Sequence, residues 1–418
     1  MAGAREGREQ ARFSGGNEVR LLRGGDELFP ALEQAFEAAV DSIFFETYIF
    51  WNDAAGERIA DGLAAAARRG VSVTVLVDGF GSQRTIAWLR ARLGDSGVVM
   101  LVFRPISQWI DWFRIRHLRR MHRKMCAVDT RIGFVGGINV MDDRFDINHG
   151  RFEQPRLDWT VQARGPIVEA IEAELKTLCV RTARRRDWKQ EVQHLLKRRD
   201  RVRAFQKVMV QVLRNRTVVD VTDDGRPVRA ALVLRDNVHN RRTIERSYVE
   251  AVRHASSHVR IVTPYFFPAR ALLKTLIGAA RRGVVVDLLL QGKADYRIAL
   301  WTARALYAQL ARVGIRIHEY QRSFLHGKVA VVDERWATVG SSNIDPLSLL
   351  LAREANVVVL DATFARSLAA SIDLAIADSI RVDPAQVAGA HWYQRLATRA
   401  AILCGRAFVA LAGGGKQY

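Results

Sequence analysis

Two segments of this chain carry the same residues at the same spacing, and that repetition limits the possible folds more than any single motif. The first places His122, Lys124 and Asp129 ahead of Gly136, Gly137, Ile138 and Asn139. The second places His326, Lys328 and Asp333 ahead of Gly340, Ser341, Ser342 and Asn343. Every matched residue is displaced by 204 positions (326 − 122, 328 − 124, 333 − 129, 343 − 139). One His-x-Lys alone carries little information. Four residue types in register mean a duplicated half-site, and a duplicated half-site predicts two lobes of similar fold.

The flanking sequence repeats in phase. Ala31 to Val40 reads as an amphipathic helix, residues 42–50 as a buried apolar strand, Gly56 to Arg69 as an Ala-rich helix ended by Gly70, and residues 71–79 as a second strand. In the second half, Arg242 to His254 reads as a helix and residues 259–267 as a strand. A helix ending at Gly283 and a strand over 284–292 follow. The hexapeptide at 66–71 recurs at 279–284, and Tyr48 is matched with Tyr265. Strand–helix–strand order predicts parallel pairing with helices on the sheet faces. The fold class is therefore α/β: two similar lobes, each a mixed sheet flanked by helices, related by a pseudo-twofold with the active site at their junction. The expected divisions are a charged, mobile N-terminus (1–17), a first lobe (18–222) with a basic helical linker at about 180–207, a second lobe (223–388) and an amphipathic tail (389–418). Asp223, Asp224 and Gly225 form the turn that ends the first half.

At 418 residues with 49% hydrophobic side chains, the chain has enough apolar surface for sizeable cores, which excludes disorder over most of its length. Its formal net charge of +20 points to a polyanionic partner, either an anionic bilayer or a nucleic acid. Between residues 104 and 120, Trp109, Ile110, Trp112 and Phe113 lie among arginines, as at a lipid headgroup boundary. The same mixture also builds stacking platforms for bases. Arginines and lysines at 184–186 and 197–199 add charge, and Trp392, Leu396, Leu403 and Phe408 give the tail an interfacial character. Cys126, Cys179 and Cys404 show no paired spacing, so neither a disulfide framework nor a zinc site is expected. The first residues lack the apolar core of a signal peptide, and no run reaches the roughly 18 apolar residues of a spanning helix.

On an extended segment, residues two apart share a side. His122 and Lys124 would face one way, as would His326 and Lys328, with Met125, Val329 and Val331 turned into the core. Asp129 and Asp333 fall at a polar break where a strand turns. The small residues before each Asn let backbone approach a bound anion, and the Asn amide can donate to it. Two imidazoles, two ammoniums and two amides suit a phosphate diester. One ring attacks phosphorus while the other protonates the departing oxygen. Histidine and aspartate are also metal ligands, but an ammonium two residues away repels a cation, so no metal is expected. No nucleotide or dinucleotide loop is present, and no cofactor is expected.

The two segments resemble the paired HxKxxxxD motifs of the phospholipase D superfamily. Residues 77–82, 119–124 and 336–348 are similar to those of bacterial cardiolipin synthases, nearest the type without N-terminal membrane spans. This resemblance implies transfer of a phosphatidyl group, through a phosphohistidine, to the glycerol hydroxyl of phosphatidylglycerol. It implies catalytic roles for His122, Lys124, Asp129, His326, Lys328 and Asp333, with His122 as the nucleophile, and phosphate binding by Asn139 and Asn343. Family members place an acid on each histidine's far nitrogen; Glu354 and Asp158 are the candidates, 11 residues after Asn343 and 19 after Asn139 (354 − 343, 158 − 139). The implied partner is an anionic phospholipid membrane at the cytoplasmic face, met peripherally. The resemblance leaves the phosphatidyl donor open between phosphatidylglycerol and phosphatidylethanolamine, with no nucleic acid expected. Some relatives in the superfamily are nucleases, and a phosphodiesterase acting on nucleic acid is the alternative reading.

Overall fold

The computed structural model describes residues 12–106, 119–147, 150–183, 228–236, 240–293, 306–345 and 352–383. Outside these residues lie most of the expected mobile N-terminus, the aromatic stretch 107–118, the linker beyond residue 183, the turn at 223–225 and the tail 389–418. Two compact units divide the chain. One contains Phe13–Arg151 and Thr160–Leu232; the other contains Met1–Arg12, Phe152–Trp159 and Val233–Tyr418.

The first unit is built on strands β1 (Glu18–Arg23), β2 (Ser42–Thr47), β3 (Ser72–Asp78), β4 (Val99–Phe103), β5 (Lys124–Val128), β6 (Ile132–Gly136) and β7 (Trp159–Arg164), in the order β1-β7-β6-β5-β2-β3-β4. β2, β3 and β4 run parallel, while β5, β6 and β7 form antiparallel ladders. Helices α1 (Gly24–Glu37), α2 (Ala54–Arg68) and α3 (Ile86–Leu93) link the strands, and α4 (Ile167–Ala183) packs on β2, β4, β5 and β6. The strands β2 and β3 are buried along almost their whole length, as expected of strands covered on both faces. Phe36, Ile43, Ile59, Leu63, Val75 and Phe134 centre the core between α1, α2 and the sheet.

The second unit repeats the plan. Its strands are β8 (Arg229–Arg235, from Val233 onward), β9 (His258–Thr263), β10 (Val285–Gln291), β11 (Arg316–Tyr320), β12 (Val329–Val332), β13 (Trp336–Gly340), β14 (Ala352–Leu360) and β15 (Ser379–Arg381). Their order is β8-β14-β13-β12-β9-β10-β11-β15, which reproduces the first sheet and adds β15 at one edge. The strands β9, β10 and β11 are parallel. The unit also contains helices α5 (Thr243–Arg253), α6 (Arg270–Arg281) and α7 (Ala362–Ala377), with α7 packed on β12 and β13. The expected duplication is thus present strand for strand.

Local chemistry explains the boundaries. Asp53 caps α2 by accepting from the Gly56 amide at 2.9 Å, so the helix starts at Ala54. Gly70 and Gly283 end their helices at φ of +97° and +91°, a conformation that favours glycine. The first helix begins at Gly24, well before the expected Ala31, and carries Pro30 inside it. The pairing of Tyr48 with Tyr265 requires correction. Phe50 bridges Val140 as Phe266 bridges Ile344, so Tyr48 corresponds to Pro264 and Ile49 to Tyr265.

Candidate active site

In the second unit, His326 and Lys328 stand just before β12 rather than on it. The segment Phe152–Trp159 is tied beside them. Leu157 donates its amide to Phe324 O at 2.9 Å, and Leu157 O accepts from the His326 and Gly327 amides, each at 2.9 Å. This register brings Asp158 Oδ2 to 2.6 Å from His326 Nδ1. Burial raises the Asp158 pKa, but Lys328, His326 and the Trp159 amide outweigh it and hold the carboxyl below its usual range. An ionised carboxylate can only accept, so His326 Nδ1 carries the proton in this hydrogen bond, which fixes the tautomer and orientation of the ring. Lys328 is buried, and its ammonium donates to the His326 carbonyl oxygen. Burial pushes its pKa down to about 8, against the opposing pull of Asp158 and Glu354.

The first unit shows the same local geometry. Lys124 Nζ donates to His122 O at 2.9 Å, and His122 also precedes its strand. Tyr48 meets the His122 ring edge-on at 4.9 Å between centroids, and Lys124 Nζ lies 5.4 Å from the Tyr48 ring. Asp78, fully buried, accepts from the amide of Met121, next to His122, at 2.9 Å. In the second unit Gln291 Oε1 accepts from the Leu325 amide, next to His326, at 3.3 Å. None of these supports is signalled by the motif itself.

Asp129 and Asp333 sit in turns with φ of +53° and +50°, at the far ends of β5 and β12 from the lysines. Asp129 accepts from the amides of Val40, Asp41 and Ser42 at 2.8 to 2.9 Å. Asp333 accepts from the amides of Ser256, Ser257 and His258 and from both serine hydroxyls, at 2.8 to 2.9 Å. Five residues of extended chain, roughly 16 Å, separate each from its lysine.

Asn139 is buried, and its Oδ1 accepts from the Ile49 amide at 3.3 Å. Asn343 Oδ1 is buried with no hydrogen-bond partner. Glu354 is fully buried, accepts from the Ser341 hydroxyl and lies 3.6 Å from Arg235 Nη2. Ladder register makes Glu354 and Asp158 equivalent despite their different sequence spacing. Gly340 pairs with Asn356 and Gly136 with Thr160, and each acid stands two residues before the paired residue. Arg235, 3% exposed on β8, was not singled out by the sequence, because one arginine in an apolar strand reads as an edge charge.

Duplicated α/β lobes, each with a lysine folded back on a motif histidine, carry the paired motif of the phospholipase D superfamily, and sequence comparison makes the chain a phosphatidyltransferase of that superfamily. The sequence matches the PLD-like domain of cardiolipin synthase over residues 32–151 and 248–374. The chain belongs to the cardiolipin synthase family. It is 35% identical over 402 residues to cardiolipin synthase B of Salmonella typhimurium, covering 95% of this chain and 90% of that one. Cardiolipin synthase B of Escherichia coli K12 is 37% identical over 400 residues, with the same coverage. Phosphatidylserine synthase of Haemophilus influenzae shares the fold at a TM-score of 0.64 and 13% identity, over 97% of this chain and 98% of that one. Among the described residues, no helix is long and apolar enough to cross a membrane.

Proposed function

We propose that this chain transfers a phosphatidyl group to the glycerol hydroxyl of phosphatidylglycerol, giving cardiolipin and a small alcohol. The observation that carries the reading is the array of Lys328, His326 and Asp158 in a chain of this family. One imidazole nitrogen attacks phosphorus as the bond to the headgroup oxygen breaks, and the other imidazole gives that oxygen its proton. The acceptor hydroxyl then returns a proton to the second ring while its oxygen displaces the histidine nitrogen. His122 is the attacking ring and His326, oriented by Asp158, is the acid. Lys124, Lys328, Asn139 and Asn343 face the non-bridging oxygens, where charge grows in the transition state.

Asp129 and Asp333 are positioning residues, because backbone amides occupy their carboxylates. Glu354, equivalent in register to Asp158, is the second histidine-orienting acid. Phosphatidylglycerol is the donor and phosphatidylethanolamine the alternative. A charge of +20 favours peripheral attachment to an anionic bilayer, at the cytoplasmic face of a bacterial membrane. The test is to incubate the protein with phosphatidylglycerol vesicles and, separately, with single-stranded DNA, in EDTA. Cardiolipin plus glycerol is the expected result, and shortened oligonucleotides without cardiolipin would overturn the reading. Near-full turnover by His122→Ala or His326→Ala would refute the paired roles.

A further inference from the structure

Arg123 stands between the motif residues His122 and Lys124 and is 2% exposed. Its Nε and Nη2 donate to the two carboxylate oxygens of Glu46 on β2, at 2.7 and 3.0 Å. Its Nη1 donates to Glu174 Oε1 on α4 at 2.6 Å. Burial opposes the charged guanidinium, but the two acids outweigh it and hold the pKa above the usual range. A planar fork bonded at three nitrogens admits a single orientation, which a flexible ammonium would not. One residue on, Lys124 Nζ donates to His122 O at 2.9 Å, and one residue back, Tyr48 meets the His122 ring edge-on. The charge cluster and the candidate chemistry therefore share three consecutive residues of main chain.

The second unit fills the corresponding place without charge. Gly327 takes the position of Arg123 (123 + 204), and the Trp159 ring lies against it, its Nε1 donating to Ser371 on α7 at 3.0 Å. Ladder register puts Val262 in the place of Glu46, since Glu46 pairs with Met125 and Val262 with Val329. The fold closes this spot with apolar atoms in one half, so burial alone does not call for three charged groups in the other. Nor do buried ion pairs generally stabilise more than apolar groups of similar volume. What the fork supplies is direction. In the second unit that task falls to Asp158, on the His326 ring, and to Leu157, on the His326 and Gly327 amides.

We propose that Arg123 is a positioning residue for the transfer: clamped by Glu46 and Glu174, it fixes the main chain that carries His122 and Lys124 and so aims the imidazole at phosphorus. The proposal rests on the phosphatidyl-transfer reading and adds to it the means by which the first half-site is held. The two half-sites are then fixed differently. One relies on a buried charge cluster, the other on a carboxylate at the ring and a tryptophan behind the chain.

The experiment follows glycerol release from headgroup-labelled short-chain phosphatidylglycerol in a single turnover, with the full chain in saturating excess. Under that condition an unfolded fraction leaves the rate constant unchanged, so a loss of stability alone does not lower it. Arg123→Lys keeps a cation and loses the fork. Arg123→Met combined with Glu46→Leu and Glu174→Gln removes all three charges together, a change that cores often tolerate. In each, the rate constant should fall by about 10- to 100-fold, the scale of a small misplacement of a reacting group. The half-saturating enzyme concentration should stay within about 3-fold, because binding is not what is lost. Should the triple variant fail to fold, Arg123→Lys decides alone. A folded variant of either kind that keeps the wild-type rate constant makes the cluster a matter of stability and overturns the inference. A wild-type chain that releases no glycerol would instead sink the transfer reading, and the inference with it.

Discussion

Asp158 Oδ2 stands 2.6 Å from His326 Nδ1 across 168 residues of sequence. The pairing fixes the tautomer and stabilises the imidazolium that forms when His326 takes a proton. In Asp158→Asn the amide NH can donate to Nδ1, which moves the ring proton to Nε2. The transfer rate should fall by about 10²- to 10⁴-fold with a small change in Tm, and Asp158→Glu should recover part of it. Rates on phosphatidylglycerol vesicles, alongside melting curves, check this. An unchanged rate in Asp158→Asn would remove Asp158 from the site.

Lys328 supplies a pH signature in stability. Its folded pKa is lowered to about 8 by burial, against about 10.4 for an unfolded lysine. Below pH 8 both states are protonated and the cost of burying the charge is present in full. Between about pH 8 and pH 10 the folded state releases its proton first, so the unfolded state binds more protons and stability rises with pH. Relative to Lys328→Met, the wild type should gain on the order of 3 kcal/mol across that window. Urea melts of both proteins from pH 7 to about pH 10.5 test the sign, and a gap that narrows nowhere would place the ammonium in water.

The two-lobe plan was legible because duplication acts as an internal alignment. The hexapeptide at 66–71 and the motif carry the same strands into both halves, and β1 to β7 recur as β8 to β14. Loop lengths hid the rest. From the start of β2 to the motif histidine the first half spans 80 residues, and from the start of β9 the second spans 68 (122 − 42, 326 − 258), so Tyr48 slipped against Tyr265 by one. The short hairpin of Phe145–Asp146 with Gly150–Arg151 separates Asn139 from Asp158, which is why the equivalence of Asp158 and Glu354 shows only in the ladder register. Arg235 gave no signal, because a lone arginine in an apolar strand reads as an edge charge until packing shows it buried against Glu354.

Asp333 should matter for folding more than for chemistry. Five donors converge on its carboxylate. Burial raises its pKa, but the amides of His258, Ser256 and Ser257 outweigh this and hold it below the usual range. Its contribution is present above about pH 4 and is lost as pH falls further. Asp333→Ala should cost about 2 kcal/mol at neutral pH and less at pH 3, by differential scanning calorimetry. Activity per folded molecule should stay within about 10-fold, unlike His326→Ala. A loss matching His326→Ala in a fully folded variant would return Asp333 to direct contact with substrate.

Gly327 separates His326 from Lys328 and lies against Trp159. A Cβ at this position would come within 2.3 Å of Trp159 Cζ3. The ring cannot yield easily, since it is fully buried and its Nε1 donates to Ser371 Oγ at 3.0 Å. The neighbouring His326 amide shares the Leu157 carbonyl with Gly327, so displacement of one moves the other. Gly327→Ala should therefore lose about 1–3 kcal/mol and most of the transfer rate. Trp159→Phe removes the clashing six-membered ring edge, and the double variant should recover activity relative to the sum of the singles. A double-mutant cycle on Tm and rate measures that coupling, expected at about 0.5–3 kcal/mol for residues in contact. Additive effects would show that the Trp159 ring does not set the position of His326.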